Sequence, residues 1–186
     1  MHCTAGLAEW LKHNQEMLAR MLVLTANLDE KTLNTTPDAS LWSPAQIIEH
    51  LVLANRPYLR AIGGVLKNAP RTQGDAPLRY TFFGKLLRKA VGPDGNAPAP
   101  KALHPRTTPI PTSVIQEWQQ QQTELMALLN QSTGVDLSRT RVWNPLVKII
   151  PMNLADCFAI LTAHTERHLQ QIEQRLPTAK SRSTPA

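Results

Sequence analysis

Cysteine is nearly missing from this chain: Cys3 and Cys157 are its only two. Two thiols cannot make a disulfide framework, so the fold must rest on a buried core, and reduced thiols point to a cytoplasmic protein. Nothing approaches a run of about 20 apolar residues, so no membrane span is expected. The opening Met1-His2-Cys3-Thr4 has no basic n-region. Glu9, Lys12, His13 and Glu16 would break any h-region, and no signal peptide is read there. Aromatic residues are scarce, at 5%. Internal repeats are absent. The run Gln119 to Gln122 is too short for low complexity and reads as a solvated helix face.

Acidic residues are thin in one stretch. Between Asn68 and Ile110 stand Arg71, Arg79, Lys85, Arg88, Lys89, Lys101 and Arg106, opposed only by Asp75 and Asp94. The net charge of +6 therefore belongs almost entirely to this segment. Such a segment can steer anions, but it reads first as a solvated loop. With only Tyr80, Phe82 and Phe83 interleaved, it makes a poor base-stacking platform, and no nucleic-acid partner is expected.

What the chain has is helical periodicity. At 186 residues it is long enough to bury a sizeable core as one domain, expected over residues 1–176, with a polar tail at 177–186. The first helix is expected over about Ala5 to Leu28. The second opens at Ser43, an N-cap with Pro44 at the first position and Gln46 closing a capping box, and runs to about Lys67 past a kink at Pro57. The third spans Ser113 to Gln131 with a box from Ser113 and Gln116. The fourth follows Pro151, capped by Asn153, and ends before Pro177. Val142 to Ile150 reads as an extended connection, and Tyr80 to Val91 as a short amphipathic helix. Four long helices argue an all-α four-helix bundle with a long Pro-rich basic connection between helices two and three, which lets those two run parallel.

Three histidines carry the chemistry. His164 and His168 lie four apart, so their rings share one helix face. That face holds Leu154, Cys157, Leu161, His164, His168 and Ile172. On the second helix His50 shares its face with Ile47, Leu51, Ala54, Tyr58 and Ala61. All three imidazoles thus fall on stripes that should face the core. A histidine on such a stripe is ordinarily a satisfied core residue. A pair at one helical turn with a third on a facing helix suits a divalent metal with open positions. Glu49 and Glu166 adjoin the ligands in sequence but point elsewhere, and are expected on the solvated surface, Glu166 pairing with Arg167. Arg167 lies beside the site or cross-links helices. Asp156 is a cap, not a fourth ligand. Trp10, Trp42, Trp118 and Trp143 are expected to pack, and Cys3 to be a surface thiol.

Trp42-Ser43-Pro44-Ala45-Gln46-Ile47-Ile48-Glu49-His50-Leu51 resembles the start of helix two in the DinB-like superfamily. His164-Thr165-Glu166-Arg167-His168-Leu169-Gln170-Gln171-Ile172 resembles its helix-four signature, and Asn144-Pro145 its preceding element. The resemblance implies a metal-binding bundle with nickel, zinc, iron or manganese on His50, His164 and His168. It implies a small-molecule substrate and often a homodimer. Its members include transferases that use a low-molecular-weight thiol, metal-dependent hydrolases, and bundles without known activity that act as scaffold or stress proteins. A thiol-dependent S-transferase is the first expectation here. The connection from Asn68 to Pro111 is expected to border the metal site, with Arg79 or Lys85 holding the thiol's carboxylates.

Overall fold

The structure, a computed structural model, describes residues 1–36, 38–72 and 74–176. The expected tail at 177–186 lies outside the described residues. The chain is an all-α bundle of four long helices: α1 (Cys3–Thr25), α3 (Pro44–Leu66), α5 (Ser113–Gln131) and α6 (Leu154–Arg175). The short helices α2 (Glu30–Asn34) and α4 (Phe82–Val91) lie in the connections. Strands β1 (Arg141–Trp143) and β2 (Pro151–Asn153) pair antiparallel before α6, with Val142 opposite Met152.

Local chemistry sets the helix starts. Ser43 accepts from Gln46 N while Gln46 caps the Ser43 N–H, and Asn153 and Asp156 do the same for α6. Thr81 caps α4, as the amphipathic pattern over 80–91 predicts. The box expected from Ser113 and Gln116 does not form. Thr112 takes the cap position and Ser113 is already helical. The first helix stops at Thr25, three residues early, because Asp29 caps a new helix by accepting from Thr32 N. Pro57 sits inside α3 without ending it. The segment read as extended, 142–150, supplies one strand of the hairpin, which its short length and Pro145 obscured in the sequence.

The side-chain pairs give the directions. α1 runs parallel to α6: Trp10 lies against Phe158, Asn14 donates to Thr162, and Arg20 reaches Glu166 and Glu173. α3 runs parallel to α5, through Arg56 with Glu117 and Gly63 with Leu128, as the long connection between them requires. The two pairs oppose each other, since His50 early in α3 meets His164 and His168 late in α6.

The core is split in two. One cluster gathers Met17, Met21, Ile47, Ile48, Leu51, Trp118, Leu169 and Ile172; the other gathers Leu7, Trp10, Tyr58, Leu59, Leu125, Phe158 and Leu161. On α3 the change falls between Leu51 and Tyr58, and on α6 between Leu161 and Leu169. On α6, His164 and His168 fall in that gap, while on α3 His50 stands beside Leu51 at the edge of the first cluster.

The connection from 68 to 111 is not the solvated loop that its charge suggests. Cys3 N donates to Ala76 O, Thr72 N to Gly134 O, and Asp136 N to Pro70 O. Thr81 N and Oγ1 both donate to the Asp156 carboxylate, which seats α4 on α6. Gly84 allows that approach, because a Cβ there would meet the Asp156 carboxyl at 2.0 Å. Farther on, Asn34 and Ile110 exchange two hydrogen bonds. Among the described residues no helix is long and apolar enough to cross a membrane.

Candidate metal centre

His50, His164 and His168 come together as a group that could hold a metal ion, their nearest ring nitrogens lying within 4.8 Å of one another. His50 Nε2 is 3.3 Å from His164 Nε2, and His168 Nε2 is 3.0 Å from the same atom. Behind them, His50 Nδ1 donates to the Leu103 carbonyl at 2.8 Å, and His168 Nδ1 donates to Gln171 Oε1 at 2.8 Å. A carbonyl oxygen only accepts, so each of these Nδ1 atoms carries the proton. In the neutral rings both Nε2 atoms are then bare lone pairs aimed at the third imidazole.

Burial keeps the rings neutral. Desolvation is the largest cause of a lowered pKa at all three, and the neighbouring imidazoles add to it at His164. His168 is pushed down to about 3. A neutral His164 has at most one Nε2 proton and cannot satisfy two facing lone pairs. A cation can. Metal–imidazole bonds of about 2.0–2.1 Å put neighbouring nitrogens roughly 3.0–3.4 Å apart, and both separations from His164 fall in that range. Donor type, tautomer and spacing therefore all fit a divalent metal.

The cluster opens onto a cavity of about 760 Å³. Its walls are mainly apolar, from Leu87 and Val91 of α4, Leu146, Val147 and Ile150 of the hairpin loop, and Ile160 and Leu161 of α6. Residues 96–100 and Leu103 of the connection border it, as expected. The basic side chains expected to serve it do not. Lys85, Arg88 and Lys89 line a separate depression with Glu9 and His13, and Arg79 is exposed.

Several expectations need correction. Glu49 is buried, not solvated: its carboxylate accepts from Arg106 N at 2.8 Å and from Arg106 Nε at 2.5 Å. Glu166 pairs with Arg20 at 2.9 Å rather than with Arg167, which lines the cavity. Trp42 also lines the cavity, its ring 5.0 Å from that of His50, while Trp143 is 63% exposed. Cys3 is buried in the first turn of α1. Asp156 is a cap, as expected.

Sequence reasoning missed the supports. Gln171 stands three residues beyond His168, one helical turn away, and that spacing could have marked it as a ring acceptor. The Leu103 carbonyl, on a distant connection, left no trace in the sequence.

No curated protein and no solved structure matches the chain significantly. A family model, the DinB superfamily, matches residues 13–172, which include the capped start of α3, all three histidines and the Asn144-Pro145 turn. The chain belongs to the DinB superfamily.

Proposed function

We propose that this protein is a metal-dependent enzyme that transfers a small thiol onto an apolar electrophile, with His50, His164 and His168 as the metal ligands. One observation carries the reading: the imidazole cluster forms part of the wall of a large apolar cavity, which gives a metal there a face toward small molecules. A metal closed inside the core would be structural.

When bound, a divalent metal supplies Lewis acidity that makes a thiol or a water a nucleophile at neutral pH. The chain's own residues favour the thiol. Among the described residues, no Asp, Glu or Cys lines the cavity, so no carboxylate stands ready as general base for a water. Cys157 is buried in the core, and burial pushes its thiol pKa up. The thiol must then arrive as a co-substrate. Its sulfur forms a bond to an electrophilic carbon, the leaving group departs with its electron pair, and the thiol proton goes to solvent.

Tyr58 and Asn55 serve the electrophile. Burial pushes the Tyr58 pKa up, so the hydroxyl stays protonated, and it accepts from Asn144 Nδ2 at 3.1 Å with its own proton left for a ligand. Asn55 Oδ1 is buried without a partner and can accept one hydrogen bond from a ligand. A cytoplasmic homodimer belongs to this reading and rests on the resemblance and the two reduced cysteines; light scattering tests the dimer.

The test has two parts. Elemental analysis of untagged protein beside His164→Ala should find metal in the first and little in the second. The metal-loaded protein is then offered an activated aryl halide with each of several low-molecular-weight thiols, and a p-nitrophenyl ester without thiol. Metal-dependent conjugation supports the reading. Ester hydrolysis alone would replace it with a hydrolase, and equal metal in both proteins would remove the site.

A further inference from the structure

Arg167 and Arg175 stand apart from the ion-paired arginines of this protein. Arg20 spans Glu166 and Glu173, and Arg106 holds Glu49. Arg167 and Arg175 are half-buried on α6 and both line the cavity. Among the described residues neither lies within reach of a carboxylate, and Arg175 Nη1 is shielded from solvent with no acceptor at all. A guanidinium taken partly out of water without a counter-charge is costly, and an anion arriving beside it recovers that cost.

Their placement is directional. Arg167, Gln171 and Arg175 follow at four-residue steps, so one face of α6 presents two guanidiniums with the amide that supports His168 between them. Arg167 adjoins His168 in the chain, and both arginines line the same cavity as the three imidazoles. Other parts of the wall, Leu87, Val91, Leu146 and Val147, are apolar.

We propose that the cavity takes a small molecule with an apolar body and a carboxylate head, and that Arg167 and Arg175 hold the head while the body lies against Leu87, Val91, Leu146 and Val147. This names the substrate class of the site proposed above and rests on that cavity being the reactive one. A single negative charge suits the pair better than a phosphate dianion. Arg175 lies in the last turn of α6, where the helix presents its negative end.

Decanoate, decanol and decyl phosphate serve as probes. Calorimetric titration is run on the protein with its metal and after chelation, and on Arg167→Gln, Arg175→Gln and the two lysine replacements, with thermal melts to verify folding. Decanoate should bind at least about tenfold more tightly than decanol. Each glutamine should weaken decanoate about tenfold and leave decanol nearly unchanged, and lysine should restore part of the loss. Arginine-dependent decanoate binding that survives chelation upholds this inference even if the metal-dependent reaction fails. Equal binding of decanoate and decanol, or no binding of either, overturns it. So does binding that vanishes on chelation and ignores both arginines, because the metal would then hold the head. A preference for decyl phosphate overturns the carboxylate assignment.

Discussion

Replacing Glu49 by glutamine tests whether the long connection sets the imidazole cluster from behind His50. The Glu49 side chain is 8% exposed and accepts from Arg106 N and Nε. Three residues before Arg106, the Leu103 carbonyl fixes His50 through Nδ1. Glutamine keeps the shape and one acceptor but loses the charge, and it turns an N–H₂ group toward an Arg106 donor. Leaving a buried hydrogen-bonding group unmatched costs about 1–3 kcal/mol. The Arg106 side chain is 57% exposed, so solvent screens its share. A loss of about 1–2 kcal/mol of unfolding free energy is expected, read from urea denaturation by circular dichroism. The effect on the metal is separate. Groups that orient a ligating imidazole are worth about 10–100-fold in affinity, and Glu49 acts one step farther back, so about tenfold is expected. Competition against a chromophoric chelator measures it. Glu117→Gln is the control, because it breaks the exposed Arg56–Glu117 pair elsewhere on α3. If Glu49→Gln matches that control in both stability and metal affinity, the connection does not position His50.

Three further outcomes follow from the same geometry. Chelation should lower the melting temperature but keep most of the helical circular dichroism, since two clusters of apolar side chains hold the helices together; loss of most helical signal would refute this. Gln171→Leu should weaken metal binding about 10–100-fold, because it removes the acceptor that fixes the His168 tautomer; an unchanged affinity would dismiss Gln171 as a support. Burial raises the Asp156 pKa despite hydrogen bonds from Thr81 and Asn153, so above about pH 4 the folded state retains a proton that the unfolded chain has released. That contribution is full at low pH and is lost as pH rises through the folded value. Wild-type stability relative to Asp156→Asn should therefore fall with rising pH, and a gap that widens would contradict the sign.

The parts legible in the sequence were those written by local periodicity. The four helices, the caps at Ser43 and Asn153 and the placement of His50, His164 and His168 on inward stripes all follow from spacing along one element at a time. Thr112 takes the N-cap position through its backbone, with no side-chain cap, and the early stop at Thr25 goes with the Asp29 cap of α2; the pattern leaves both ends open. Glu49 read as surface because most carboxylates are. Its burial depends on Arg106, 57 residues later, reaching back across α3. The basic charge of the connection was visible, but its direction was not. Thr81 and Asp156 seat α4 so that Leu87 and Val91 turn to the cavity while Lys85 and Lys89 turn away.

That seating separates what holds the site from what the site receives. The three imidazoles and the His168 support come from α3 and α6, whose faces are fixed by two packed clusters. The cavity walls come largely from α4, residues 96–103 and the β1–β2 loop, and each of these is fastened by a few identifiable bonds: Thr81 to Asp156, Arg106 to Glu49, and the Leu146 and Val147 amides to Asn144 Oδ1. Exposed Leu146, Val147 and Ile149 show that the β1–β2 loop gains little from packing. Changing such walls costs the bundle little, so the cavity lining can vary while the three imidazoles and the arginines of α6 keep their places. Substitutions at Leu146 and Val147 should then alter ligand preference without altering metal affinity, and substitutions at Ile47 or Leu169 should do the reverse through the packing of the helices themselves.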